Sequence, residues 1–127
     1  MTAKNKSKKP LSPAKLAQYQ FCVAYTKRFQ DILIRLPSKA LDPSDEAWKG
    51  VPPDAVAGPI RAYIDLCAEQ EFMQRVGALP DEVWDLWTPG IVNMFKLPAV
   101  KATWQSMQEL GGYDSLAAFL KQPREHT

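Results

Sequence analysis

Residues 81–95 read DEVWDLWTPGIVNMF and decide the fold of this chain. Four large apolar side chains recur there at offsets of three, seven and eleven residues, namely Trp84, Trp87, Ile91 and Phe95. Such spacing places the four side chains along one side of an α-helix. The second half of the chain is therefore predicted to form an aromatic-rich helical core.

Two helices are predicted before this segment. The first covers roughly 13–36, with Ser12 as its N-cap and Pro13 at its first position, where no amide hydrogen is needed. The second begins at Pro59 and ends before Gly77, which suits the left-handed conformation that often follows a helix. Because apolar residues cover much of its circumference, the second helix is expected to lie at the centre of the fold.

The third helix, which contains the deciding segment, is predicted to begin around Asp81 and to end near Lys96. The acids of its first turn lie where the helix dipole favours negative charge. Pro89 lies inside it and removes one backbone hydrogen bond, so a kink is expected there. Gly90 beside it is expected to permit close approach of a neighbouring element.

Two shorter helices complete the prediction. Pro98 can start a fourth helix that ends at Gly111 and Gly112, and Asp114 can cap a fifth. The sequence has no alternating strand pattern of useful length and no Asn-Gly hairpin turn. The predicted fold is all-α, a single compact bundle of four to five helices.

A long proline-rich connection separates the first two helices. Residues 37–59 contain five prolines and two glycines, too many for a long element. Long connections of this kind are often functional or held by an anchor. Trp48 is the candidate anchor, and it is also a candidate for contact with a partner protein.

The N-terminal residues 1–11 form a predicted disordered basic arm, ahead of a helical domain over 12–122 and a frayed tail over 123–127. Residues 1–15 carry five lysines and no acid, which leaves 11 basic against 14 acidic residues in the remainder. Either a solubility tail or attachment to nucleic acid fits this arm. Its candidate phosphate contacts are Lys4, Lys6, Lys8 and Lys9.

The cellular compartment is predicted from the absence of membrane-spanning and signal segments in the sequence and from the two cysteines. Every apolar stretch is shorter than the roughly 18–20 residues needed to cross a bilayer. The N-terminus lacks the apolar core of a signal peptide, so we expect a cytoplasmic protein without a membrane role. Cys22 and Cys67 are then expected to be small apolar core residues in a reducing compartment.

Most catalytic arrangements lack their ingredients in this sequence. His126 is the only histidine and lies at the C-terminal end, which argues against Ser-His-Asp and Cys-His sites and against histidine-ligated metals. Phosphate-binding glycine motifs and the Cys-x-x-Cys pair are absent as well. We therefore predict no enzyme activity, no cofactor and no metal.

Glu71 is the candidate buried polar residue. It continues the apolar row of Ile60, Ile64 and Cys67, so its carboxylate is expected to point into the core. A carboxyl in such surroundings can act as a general acid or base. The structural alternative is that Glu71 accepts a hydrogen bond from an indole or pairs with an arginine.

The aromatic residues of the second half can serve either as core or as the lining of a pocket for an apolar ligand. Core is favoured, because a small domain has few other large residues to bury. The residues concerned are Phe72, Trp84, Trp87, Phe95, Trp104 and Phe119.

Several short motifs together resemble a family. They are the acidic-aromatic run EQEF at 69–72, the run GALPDEVWDLW at 77–87, the LPA of 97–99, and the later Trp104. In these motifs the chain resembles small uncharacterised all-helical bacterial proteins, a domain of unknown function, over roughly residues 60–120. The resemblance implies an all-α fold and supplies no catalytic residue. Members often carry an N-terminal membrane helix, which this sequence does not show.

The predicted function is that of a non-catalytic interaction or accessory module acting through contacts with a protein partner or through self-association. Phe21, Tyr25 and Ile32 form a second apolar row on the side of the first helix that is predicted to face solvent. This row is expected to be either a contact surface or a second buried face. The alternatives are attachment to nucleic acid through the lysine arm, and a carboxylate enzyme or apolar-ligand binder centred on Glu71 and the tryptophans.

Overall fold

Helices make up most of this computed structural model, which describes residues 9–44, 49–50 and 52–122. The described residues form five α-helices and one short 3₁₀ turn, Ser38–Leu41, and they contain no β-strand. The fold is an all-α compact bundle, as the sequence predicts. The helices are α1 (Pro13–Leu33), α2 (Pro53–Arg75), α3 (Asp81–Met94), α4 (Pro98–Leu110) and α5 (Asp114–Lys121).

The start of α1 follows the sequence prediction. Ser12 has extended backbone angles, and its hydroxyl accepts a hydrogen bond from the backbone N–H of Lys15 at 3.1 Å. Pro13 occupies the first helical turn. The regular helix ends at Leu33, earlier than the predicted boundary, and the chain continues to Leu36 through turns.

Two residues that the sequence predicts on the solvent side of α1 are buried in the structure. Tyr25 and Ile32 are each only 5% exposed, so placing them on the solvent side was wrong. Together with the buried Cys22, they form a face at spacings of three and seven residues that packs against α2. The alternative of a second buried face is the one that holds for these two residues. Phe21, in contrast, is 52% exposed.

Helix α2 begins at Pro53 rather than at the predicted Pro59. A proline ring normally crowds the Cβ of the residue before it, but that residue here is Gly58, which has none. The first turns are also held by packing, because Val56 is 1% exposed and Ile60 is fully buried. Burial of these side chains offsets the one hydrogen bond that Pro59 cannot donate.

The C-terminal end of α2 is closed by a Schellman motif around Gly77. This glycine has φ +83°, in the left-handed region that the sequence predicts for it. The backbone N–H of Gly77 donates to the carbonyl of Gln74 at 3.0 Å, and that of Ala78 donates to the carbonyl of Met73 at 2.8 Å. Two carbonyls of the last turn are thereby satisfied, and the chain is redirected into α3.

Helix α2 is the centre of the bundle, as the sequence predicts. It contacts α1, α3, α4 and α5, while the 3₁₀ turn packs on α4. Its buried face is continuous along the helix, because six of its apolar side chains are at most 3% exposed: Val56, Ile60, Tyr63, Ile64, Leu66 and Cys67. Burial of this kind of surface is the largest favourable contribution to folding.

Aromatic pairs join α3 to α4 and α5. Trp84 contacts Phe119 with ring centroids 5.0 Å apart, and Phe95 contacts Trp104 edge to face at 5.3 Å. All four rings are at most 9% exposed, which confirms them as core residues. A further tie comes from Tyr113, whose hydroxyl donates to Asp65 Oδ1 of α2 at 2.6 Å.

The remaining boundaries lie close to the predicted ones. Helix α3 contains Pro89 without interruption and ends at Met94, and Gly111 and Gly112 follow α4 with φ of +82° and +92°. Asp114 is the first residue of α5 rather than its N-cap, a position that Tyr113 takes. None of the helices in the described ranges is both long enough and apolar enough to cross a membrane.

Candidate functional site

An open cavity of about 480 Å³ lies between α1, α2 and α3. The volume falls within the range of small-molecule sites, which is roughly 300–1,000 Å³. Its lining residues come from all three helices and from the turn after α3. They are Tyr25, Thr26, Phe29, Tyr63, Leu66, Gln70, Leu86, Trp87, Gly90, Ile91, Asn93, Met94 and Leu97.

Each helix presents one face to the cavity. From α2 come Tyr63, Leu66 and Gln70, at helical offsets of three and seven residues. Leu86 and Trp87 begin the contribution of α3, which has residues on the cavity at every turn up to its end. The cavity is therefore built into the main packing of the bundle, on rigid elements rather than on loops.

Gly90 leaves part of this space open. A side-chain carbon at position 90 would meet no atom of the described residues within 4 Å. The predicted role of Gly90, close approach of a neighbouring element, is therefore wrong. Its missing side chain instead widens the cavity, because Gly90 belongs to the lining.

Aromatic rings form opposite walls of the cavity. Tyr25 of α1 meets Trp87 of α3 edge to face, with centroids 6.1 Å apart and an interplanar angle of 84°. Phe29 of α1 lies against Tyr63 of α2 at 5.7 Å. Aromatic pairs of this kind hold one another in place, since edge-to-face contacts add about 0.5–1.5 kcal/mol beyond the area they bury. These walls are therefore mostly apolar, and contacts between the rings stabilise them.

The hydroxyl groups of the lining lie close to protein groups. The Thr26 hydroxyl donates to the carbonyl of Cys22 at 3.1 Å. Burial, followed by the influence of the Glu69 carboxylate, raises the pKa of Tyr25 to about 12. Burial, followed by the influence of the Cys67 thiol, raises the pKa of Tyr63 far above its usual value.

Apart from the aromatic residues, the described lining residues with polar side chains are Thr26, Asn93 and Gln70, and of these only Gln70 is buried. It is only 7% exposed, yet none of the described residues forms a hydrogen bond with its side-chain amide. In the described ranges, every side-chain polar atom that is fully buried has a hydrogen-bond partner. The Gln70 amide has no such partner, so its atoms are not fully buried, and solvent reaches them through the cavity. Gln70 offers both a donor and an acceptor to whatever fills this space.

Charged groups lie beside the cavity rather than in it. None of the described residues that line it is an acid, a lysine, an arginine or a histidine. One charged pair beside the lining is Arg28 with Glu69, whose Nη1 and Oε1 atoms are 2.5 Å apart. The Arg28 guanidinium also lies 5.5 Å from the ring centre of Tyr25. Arg28 and Glu69 thus compensate each other and support Tyr25 from outside the cavity.

Glu71 is buried, as the sequence predicts, at 8% exposure. Its Oε2 accepts a hydrogen bond from Arg75 Nε at 3.2 Å, so the structural alternative of an arginine partner describes its contact. Arg75 also lies 5.3 Å from the ring centre of Phe72. Glu71 does not line the cavity, and a ligand site centred on it has no support from this geometry.

The predicted interaction residues are scattered. Tyr25 lines the cavity, Ile32 lies in the core, and Phe21 is exposed on α1. Trp48 lies outside the described residues. The role of these residues in partner contact stays a prediction.

The lysine arm falls mostly outside the described ranges. Lys9 is described and exposed, while the other three candidate phosphate contacts, Lys4, Lys6 and Lys8, are not described. Nucleic-acid contact through this arm therefore stays a prediction.

Of the aromatic residues considered for a pocket, only Trp87 lines the cavity. Phe72 is 48% exposed, and the other four are core residues. Sequence reasoning missed Tyr63, Gln70 and Met94 as lining residues. Helical spacing alone could have placed Gln70 on the face of Tyr63 and Leu66, seven and four residues after them.

Comparisons of the chain with protein-family models, with curated proteins and with solved structures gave no match. The resemblance to small all-helical bacterial proteins therefore stays a prediction. Within residues 9–44, 49–50 and 52–122, no group of three or more histidines, cysteines or acids is arranged to hold a metal ion.

Proposed function

We propose that this protein is a non-catalytic binding module whose site is the cavity between α1, α2 and α3, and that the site takes a small apolar molecule. One observation carries the proposal: a space of about 480 Å³ within the packed bundle is walled by apolar and aromatic side chains of three helices. Filling such a space removes apolar surface from water on both partners.

A small molecule fits this geometry better than a partner helix does. A helix lays a row of side chains into a long exposed groove, whereas much of this lining is deeply buried. Tyr63, Leu66 and Ile91 are 3%, 1% and 6% exposed. Leu86, which is 76% exposed, marks the mouth. The lining residues behind the mouth are deeply buried, which suits a small molecule that fits entirely inside the cavity.

A non-catalytic role is favoured over an enzyme by the chemistry of the lining. The Thr26 hydroxyl donates to a backbone carbonyl. The pKa values of Tyr25 and Tyr63 are raised, so neither tyrosine supplies a base or nucleophile near neutral pH. Cys67 is no better, because burial raises the pKa of its thiol to about 12.

The neutral fluorescent probe N-phenylnaphthylamine tests the proposal. It should become brighter and blue-shifted when titrated with the native chain, and it should quench emission from Trp87 at the cavity wall. Gly90→Leu should fill the cavity from the α3 side and weaken probe binding at least tenfold. If the wild-type chain leaves the probe emission unchanged up to its solubility limit, the proposal fails.

Ala102→Leu is the matched control for this experiment. Ala102 is likewise a small, exposed residue within a helix, α4. It does not line the cavity. This variant should bind the probe as the wild type does, and equal weakening by both variants would contradict the site.

We further propose a reducing, cytoplasmic setting for this module. Cys22 and Cys67 are unpaired and buried. Buried free thiols are common where disulfides do not form. Labelling of the native chain with a thiol reagent should be slow, and labelling after unfolding should be complete at both positions.

A further inference from the structure

We infer that the ligand of this cavity carries one uncharged polar head that both donates and accepts hydrogen bonds, such as a primary amide or an alcohol, and that Gln70 binds this head. The inference rests on the proposed function and specifies the chemistry of the same site. It is carried by the environment of Gln70, not by the size of the cavity.

The first step is the position of Gln70. Its side chain lies among the lining residues on the same face of α2 as Tyr63 and Leu66, and only 7% of it is exposed. Glutamine at a buried helix position is costly unless its amide is hydrogen-bonded. Since none of the described residues supplies a partner, its hydrogen bonds are made through the cavity.

The second step is what a ligand must do to this amide. An apolar occupant that displaces solvent from the cavity would leave the Gln70 carbonyl and N–H groups without partners. Leaving such buried groups unsatisfied costs about 1–3 kcal/mol. A ligand with its own donor and acceptor near Gln70 avoids this cost. It therefore binds more tightly than a purely apolar ligand of the same size.

The third step concerns charge. None of the described residues that line the cavity is charged, and the nearby Arg28 and Glu69 are already paired with each other at 2.5 Å. A carboxylate or ammonium head would lose its hydration without gaining a counter-charge, which is strongly unfavourable. The head is therefore neutral, which separates this ligand class from fatty acids and alkyl amines.

Competition against N-phenylnaphthylamine tests the inference with four compounds of one chain length: octanamide, octan-1-ol, octanoate and octylammonium, all at pH 7. The two neutral compounds should displace the probe at concentrations at least tenfold lower than the two charged ones. Octanoate displacing the probe as well as octanamide does would overturn the inference.

Two variants locate the head group. Gln70→Leu keeps the approximate size and removes the amide, so octanamide should bind about tenfold more weakly. N-phenylnaphthylamine, whose one polar group is a weakly donating amine N–H, should bind this variant about as well as the wild type or more tightly. Gln105→Leu makes the same chemical change at an exposed position of α4 outside the cavity and should leave octanamide affinity within twofold. If both variants leave the neutral compounds unaffected, Gln70 has no role in binding.

The outcomes separate the two proposals. Absence of probe binding to the wild-type chain removes the binding function itself. Probe binding that all four head groups displace equally keeps the apolar site and removes the neutral head. Should Gln70→Leu fail to fold, as judged by circular dichroism, Gln70→Met replaces it, and the head-group series on the wild-type chain still decides the inference.

Discussion

The ring of Tyr25 meets the ring of Trp87 edge to face, with centroids 6.1 Å apart, and both rings line the same cavity. The contact joins α1 to α3, which are separated by the whole of α2 in sequence. Behind it, the Arg28 guanidinium lies 5.5 Å from the ring centre of Tyr25 and pairs with Glu69. One wall of the cavity is thus fixed by a chain of contacts rather than by a single residue.

Coupling between Tyr25 and Trp87 can be measured by a double-mutant cycle. Tyr25→Leu and Trp87→Leu should each lower the free energy of unfolding, and the double variant should lose less than their sum by about 0.5–1.5 kcal/mol. Urea unfolding followed by circular dichroism gives all four values. Tyr25→Leu combined with Trp104→Leu serves as control, since Trp104 contacts Phe95 and Tyr113 instead. Strict additivity in the first cycle would contradict the contact.

Gly90 and Gly77 should respond in opposite ways to alanine. Gly90 lies inside α3 without positive φ and with open space around it, so Gly90→Ala should raise stability by about 0.5–1 kcal/mol. Gly77 has φ +83°, so Gly77→Ala should lower stability by about 1 kcal/mol or more. Thermal melts of both variants check this. A loss of stability in Gly90→Ala would show that the space beside α3 is not open.

Removing Arg75 should harm the fold more than neutralising Glu71. The Glu71 side chain is 10% exposed and that of Arg75 is 49% exposed. Arg75→Met leaves a buried carboxylate without its partner and should cost about 1–3 kcal/mol, whereas Glu71→Gln keeps an acceptor for Arg75 Nε and should cost less than about 1 kcal/mol. Chemical denaturation measures both.

An exposed pair of the same helical spacing is the control for this comparison. Lys27 Nζ lies 3.5 Å from Asp31 Oδ2, with side chains 76% and 58% exposed. Lys27→Met should leave the unfolding midpoint unchanged, because exposed ion pairs are weak. If Glu71→Gln is the more damaging of the two variants at the buried pair, the carboxylate has a role beyond pairing with Arg75.

Helix ends were predictable because their signals are local. Ser12 with Pro13 and the glycine at position 77 fix the backbone through their own chemistry, wherever the rest of the chain goes. The predicted start of α2 at Pro59 is wrong, because the helix begins at Pro53 and Pro59 lies inside it. The absent Cβ of Gly58 and the burial of Val56 allow the helix to pass through that position.

The buried face of α1 and the cavity could not be predicted in the same way. Apolar residues lie on two rows of α1, and only packing against α2 selects the row with Tyr25 and Ile32. The cavity depends on the spacing between whole helices, which no short motif encodes. Within the polar run EQE of 69–71, only the helical spacing from Tyr63 and Leu66 distinguishes Gln70 from its exposed neighbour Glu69.

Alkaline titration tests the surroundings of all four tyrosines. All four tyrosines have a pKa raised above 10.0 in the folded chain. Burial is the main cause for Tyr25 and Tyr63, and hydrogen bonds to Glu82 and Asp65 are the main causes for Tyr19 and Tyr113.

Since the unfolded chain releases these phenolic protons near pH 10 and the folded chain holds them, their contribution to stability is complete below pH 10. It is lost as the pH rises toward 12 and beyond, the pKa of Tyr25 being about 12. Ultraviolet absorbance of tyrosinate and circular dichroism should therefore change together on raising the pH. Tyr63→Phe should weaken the alkaline loss of stability, because it removes the most strongly shifted group. Ionisation of all four tyrosines at pH 10 with the helical signal intact would contradict the burial and hydrogen bonding described for them.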